Sequence, residues 1–335
     1  LHELHKTTDN CAASRTITVP ESETGRRLDQ FLSKILSSLS RARIQRTIES
    51  GNVTVNNHSA QKNRRLKTGD IVTVREDEFT FARETPDLAP EDIALDVLYQ
   101  DEYLLGINKP SGLVVHPGSG NRSGTMVNAL LHSFPGLSDG YESNRPGIVH
   151  RLDKYTTGVL VVARNNAVHA ALGLQFANRT VEKTYAGICI GRMPEENGRI
   201  EAPLGRSRSD PLKRAVIRHG KPALTEYRLK AYQSGISLLE FILHTGRTHQ
   251  IRVHAAHSGF PILADDTYGG GRECILRQPP LERPFAYRIL KCFDRHALHS
   301  RTLAFMHPVT NERIEITAPY PPDFKQALSY LAPEG

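Results

Sequence analysis

Apolar residues recur along this 335-residue chain with two spacings, and the change from one to the other predicts its elements. Leu28, Phe31, Leu32, Ile35 and Leu36 fall three or four apart, which predicts a helix over 25–37. Ser40 stands where an N-cap belongs. Ile44 and Ile48 predict a second short helix over 41–50, with Gly51 placed to end it in a left-handed conformation. The spacing then drops to two. Val53-Thr54-Val55, the turn pair Asn56-Asn57 and the β-branched run 71–74 after Gly69-Asp70 predict short strands. Further on, 93–99 and 103–108 read as strands, 126–132 as a helix, and 159–163 as a buried strand too short for a helix. Runs at 185–190, 226–232 and 236–243 read as strands, a helix capped by Thr248 ends near Gly259, and 323–331 reads as a closing helix. Many short strands among short helices predict an α+β fold.

Charge divides this pattern into two bodies. Residues 1–75 are net +6, residues 76–92 net −6, and residues 93–335 net +7. The acidic stretch 76–92 also carries Pro86 and Pro90 and reads as a linker. The predicted domains are therefore 15–75 and 93–330. Two basic bodies suit a polyanion, because cations that meet phosphates release condensed counterions. Arg41, Arg43 and Arg46 fall outside the apolar stripe of the second helix, and Arg64 and Arg65 sit in a basic run with Lys62 and Lys67. Those five arginines are the candidate phosphate-binding residues of the small domain.

The remaining composition removes several classes. No apolar run approaches the ~18 residues of a membrane span. The polar start lacks the order of a signal peptide, and the four scattered cysteines form no C-x-x-C pair. A cytoplasmic protein without membrane partners is the expectation. Clustered His244, His249, His254 and His257 raise a metal-dependent nuclease as a rival reading. There is no His-Glu-x-x-His pattern, and His249 and His254 are poorly spaced to share a helical face, so no metal is expected. The glycine-rich loop at Gly118, Gly120 and Gly124 is neither a P-loop nor a dinucleotide fingerprint.

Two segments concentrate chemistry. His150-Arg151-Leu152-Asp153-Lys154 runs through a turn at Gly158 into the buried strand, which pins charged residues beside the core. Asp153 alone would read as a turn or cap residue. Thr245 to His254 places Arg252 on a short helix, where its guanidinium would favour and orient a neighbouring carboxylate.

Residues 15–75 resemble the S4 RNA-binding domain, on Arg27-Leu28-Asp29, Ser40-Arg41, Gly51 to Asn56 and Gly69-Asp70. The rest resembles the RluA/RluD family of RNA pseudouridine synthases. The likeness rests on Asn108-Lys109-Pro110, Val115-His116-Pro117, His150 to Asp153, Lys183-Thr184-Tyr185 and Gly246 to His254. It continues through Asp266 with Tyr268-Gly269-Gly270, Ala297-Leu298-His299 and His307-Pro308. Tyr155 and Ala264 depart from the family pattern, where an acidic residue and a glycine are common.

The resemblance implies a mixed, largely antiparallel catalytic sheet and isomerisation of uridine in RNA without a cofactor. Asp153 would attack C1′ or take a proton from C2′, and Arg252 would hold it ionised. Tyr185 would pack against uracil and take part in proton removal from C5. Arg151 would fill the place of the flipped base, and Leu298 would line the uracil pocket. The implied RNA is 23S ribosomal RNA or a large-subunit precursor, with transfer RNA as the fallback, and the implied state is a monomer. A non-catalytic RNA-binding assembly factor is the alternative.

Overall fold

The computed structural model describes residues 14–36, 41–75, 88–117, 121–138, 145–210 and 212–331. Residues 76–87 of the expected linker and Ser40, the expected cap, lie outside these. The chain forms two compact units, and among the described residues the second begins at Leu88.

In the first unit the apolar stripe builds α1 (Leu28–Ile35), shorter at both ends than its periodicity predicts. Pairing of Leu28 N with the Arg64 carbonyl marks its start. Leu28, Phe31 and Leu32 pack with Ile44 and Ile48 of α2 (Arg41–Glu49). They face Val53 and Val55 of β2 (Val53–Val55) and Val72 and Val74 of β4 (Ile71–Arg75). With β1 (Ser14–Thr18) and β3 (His58–Ser59), these strands form an antiparallel sheet in the order β1-β4-β2-β3. Asn56 and Asn57 both take left-handed φ, as a tight hairpin between β2 and β3 requires. Asp29 is buried on α1, where Arg27 Nε at 3.0 Å and Gln45 Nε2 at 2.7 Å satisfy it.

The second unit is built on a sheet in the order β5-β6-β7-β14-β8-β13-β12-β9, with β15 on the side of β14. Its strands are β5 (Asp96–Gln100), β6 (Leu104–Lys109), β7 (Thr157–Ala163), β8 (Glu182–Ile190) and β9 (Asn197–Glu201). They continue with β12 (Leu224–Gln233), β13 (Ile236–Leu243), β14 (Leu298–Met306) and β15 (Arg313–Thr317). A separate ribbon pairs β10 (Leu204–Arg206) with β11 (Arg214–Val216). All strand pairings are antiparallel except β7 with β14, so the sheet is mixed and largely antiparallel.

That single parallel pairing shapes the site. It brings Thr157 and Gly158 against His299 and Ser300 at the end of the His150–Thr156 segment. Gly158 has φ +108°, and a Cβ there would collide with the Ser300 carbonyl. Only glycine lets the two backbones approach this closely. Against the sheet pack α3 (Met126–Ser133), α4 (Asn166–Asn178), α5 (Gln250–His257) and α6 (Pro322–Leu331), whose buried side chains include Met126, Leu172, Ile251 and Phe324. Thr248 does not cap α5. His249 occupies the N-cap position with φ 58°, and the helix begins one residue later, at Gln250. Among the described residues no helix is long and apolar enough to cross a membrane.

Candidate active site

The His-Arg-Leu-Asp segment divides between anchoring and display. His150 Nε2 accepts from the Val161 amide at 2.9 Å, and its ring stacks on Phe176. Burial pushes His150 down to about 3, so the imidazole is a neutral acceptor that ties the segment to β7. Leu152 enters the core, whereas Arg151 is exposed and Asp153 is half-buried. Their side chains line one cavity of about 100 Å³ with Tyr185, Leu298, His249 and Arg252.

The segment is also gripped from behind. Lys109 is fully buried, and its ammonium donates to the carbonyls of Pro110, Leu113 and Lys154 at 2.8–2.9 Å. Arg295 Nη1 donates to the Tyr155 carbonyl at 3.1 Å, and Thr156 Oγ1 pairs with His296 Nε2 at 2.8 Å. The residues following Asp153 are thus fixed one after another by groups from β6 and from the turn before β14. Burial, with the nearby Arg295 charge, lowers Lys109 to about 7, and Asp153 opposes that shift.

Arg252 reaches Asp153 from α5. Its Nη1 lies 3.2 Å from Asp153 Oδ2. Its Nε and Nη2 donate at 2.7 and 2.9 Å to the two carboxylate oxygens of Asp265, which is buried. Burial disfavours the guanidinium charge, but the Asp265 and Asp153 carboxylates outweigh it and raise the pKa of Arg252. Its guanidinium also lies 5.0 Å from the ring centroid of Tyr268. Tyr268 in turn hydrogen-bonds His249 Nδ1 at 2.7 Å, and His249 Nε2 lies 3.9 Å from Asp153 Oδ2. Burial, only partly offset by Asp153, keeps His249 below its ordinary value.

Tyr185 sits on β8 beside β14, paired in register with Ser300. Burial raises its phenol to about 12, with the Ser300 hydroxyl acting in the opposite direction. It faces the cavity as a neutral ring. Leu298, the first residue of β14, forms part of the apolar wall.

Asp153, Tyr185, Arg252, Arg151 and Leu298 therefore meet at one cavity. The candidate RNA-binding residues belong to the other unit. Arg65 is exposed and donates to the Gly25 carbonyl at 2.9 Å, and Arg64 is half-buried. Arg41, Arg43 and Arg46 fall on α2, but their side chains lie outside the described residues.

Sequence reasoning misses Asp265. It picks out Asp266 with Tyr268, yet Asp266 is exposed and Asp265 holds Arg252. Two adjacent aspartates look alike in sequence, although Asp265 is the one three residues before Tyr268. The clustered histidines do not converge. His254 spends its nitrogens on Thr225 Oγ1 at 2.9 Å and the Ala202 carbonyl at 3.0 Å, whereas His244 meets Glu226 at 3.0 Å. Among the described residues no three His, Cys, Asp or Glu side chains are grouped to hold a metal ion.

Comparison with known proteins follows the same division. A family model described as RNA pseudouridylate synthase matches residues 103–257, and the S4 domain model matches residues 26–72. Ribosomal large subunit pseudouridine synthase D of Xanthomonas campestris is 41% identical over 317 residues, covering 95% of this chain and 92% of that protein. The protein of the same name from Yersinia pestis is 39% identical, covering 94% and 93%. The solved structure of human RNA Pseudouridylate Synthase Domain Containing 4 superposes with a TM-score of 0.52 at 26% identity, covering 70% of this chain and 92% of that one.

Proposed function

The chain belongs to the RNA pseudouridine synthase family and is an isomerase acting on RNA, and from that premise we propose that it converts uridines of large-subunit ribosomal RNA to pseudouridine with Asp153 as the reacting carboxylate. The names of the relatives from Xanthomonas and Yersinia support the choice of RNA. The observation that carries the assignment is the placement of Asp153 in a cavity with a neutral aromatic ring, an apolar wall and a guanidinium at 3.2 Å.

The reaction breaks the N1–C1′ bond, turns the base, and forms C5–C1′. A proton leaves C5 and one is gained at N1, so no electron donor and no external group is consumed. A carboxylate serves at C1′ as a nucleophile or at C2′ as a base, and both roles require it ionised. Arg252 supplies a fixed positive charge beside one oxygen. Tyr185 packs against the uracil ring. Its neutral phenol is a weak base, so packing is the better supported part of its role. Leu298 closes the apolar side.

A base within folded RNA reaches this cavity only by leaving its stack. Exposed Arg151 lies two residues before Asp153 and lines the cavity, a position suited to filling the vacated place. The small unit adds electrostatic affinity through Arg64 and Arg65 and through Arg41, Arg43 and Arg46 on α2. Mapping pseudouridine by carbodiimide modification and primer extension tests the substrate. Stops are expected on a large-subunit ribosomal transcript incubated with the protein. Stops confined to transfer RNA would overturn the choice of RNA.

A further inference from the structure

Beside the cavity that holds Asp153 lies a second one, of about 340 Å³, with a different lining. The two share Arg151, Tyr185 and Arg247, so they form one continuous depression. The second is distinguished by Lys183 and Arg179. Lys183 is buried, with a relative exposure of 8%. Among the described residues no carboxylate lies within ion-pair distance of it, and the charge that acts on its ammonium is another cation, Arg179. Its neighbour Glu182 turns to the opposite face of β8, as strand alternation demands, and pairs with Arg313 at 3.0 Å. Glu226, which touches His244 on the rim, is bound there at 3.0 Å.

A buried lysine without a counter-ion is costly to fold. Here the cost is borne on the same strand face as Tyr185, two residues away, or about 7 Å along β8. That separation is the reach of one nucleotide from its base to a neighbouring backbone linkage. Exposed Arg151 and Arg179 and half-buried Arg247 surround the same space. The collected charge is positive, and the cavity opens directly from the base site.

We propose that Lys183, with Arg179 and Arg247, holds a backbone phosphate of the RNA adjacent to the uridine whose base occupies the Asp153 cavity. The phosphate supplies the counter-ion that the protein lacks. Binding the linkage next to the target also fixes where C1′ falls relative to Asp153. This inference rests on the RNA isomerase reading, and its test separates the two.

The experiment compares full-length wild type, Lys183→Met, Lys183→Arg and Arg179→Gln on a large-subunit ribosomal transcript labelled with 5-[³H]uridine. Affinity is measured across salt concentrations, and tritium release is measured at low salt. Leaving one phosphate without its cation is expected to reduce the slope of log affinity against log salt by about 0.7–0.9. Lys183→Met should show that reduction with about a tenfold lower kcat/KM, and Lys183→Arg should restore the slope. A folded Lys183→Met with the wild-type slope would overturn the proposal, since a structural lysine leaves the slope alone. Should Lys183→Met fail to fold, the surface variant Arg179→Gln decides in the same way. A reduced slope without tritium release by wild type would keep the phosphate site and discard the catalytic reading.

Discussion

Asp265 takes two of the donor positions of Arg252, Nε and Nη2, and leaves Nη1 to face Asp153 at 3.2 Å. A guanidinium bound through two parallel bonds loses its freedom to rotate. The charge beside Asp153 is therefore fixed in direction as well as in place. Tyr268 lies against the same guanidinium and hydrogen-bonds His249, so the turn that carries Asp265 supports the start of α5 as well. Asp265 touches no candidate reacting atom and acts through Arg252, which makes it a positioning residue.

Asp265→Asn should lower kcat by about ten- to a hundredfold with little change in KM, because misplacement of the carboxylate proposed to react, Asp153, is felt in the chemical step. It should also cost about 3–5 kcal/mol of stability, because it removes one charge from a buried network. Steady-state kinetics with urea unfolding checks both. A raised KM at unchanged kcat would contradict the positioning role.

The buried histidines set an acid limit on stability. Burial lowers His150 to about 3 and His116 and His299 to about 4, and it lowers His296 further still. In the unfolded chain each titrates near its ordinary value of about 6.5. Below that value the unfolded chain binds protons that the folded chain refuses, so stability falls as pH falls. Between pH 7 and 5 a single such residue removes about 2 kcal/mol. The urea midpoint should drop clearly over this interval, before most carboxylates titrate. A flat midpoint would contradict the account of these residues as buried neutral imidazoles.

The small unit contributes charge. Replacing Arg64 and Arg65 together by glutamine in the full chain should weaken RNA binding at low salt. The salt slope should fall by about 0.7–0.9 for each phosphate that is no longer neutralised. Affinity titrations at several salt concentrations check this, and an unchanged slope would show that neither arginine meets the RNA.

Much of this site is visible in local sequence. The short apolar run after Gly158 gives β7 away, and Asn56-Asn57 marks the β2–β3 hairpin, because those signals act over a few residues. The charged triplet beside a core strand is local too, but Asp153 within it reads alone as a turn or cap residue, and the family resemblance is what singles it out. What local reasoning does not reach is long-range pairing. Thr157 meets His299 across 142 positions, and no spacing rule predicts a parallel neighbour so far away. The choice between Asp265 and Asp266 depends on which of them turns inward, which the fold decides. Thr248 has the chemistry of a cap, but the left-handed backbone at His249 delays the start of α5 beyond it.

The role of Asp153 is tested most directly by tritium release from 5-[³H]uridine-labelled large-subunit ribosomal RNA, comparing wild type with Asp153→Asn, alongside RNA binding by both. Substitution at C5 must expel that hydrogen, whichever route the carboxylate takes. Release by wild type, none by Asp153→Asn, and comparable binding by the two is the predicted result. Wild-type-like release by Asp153→Asn, with deamidation excluded by mass spectrometry, would contradict it.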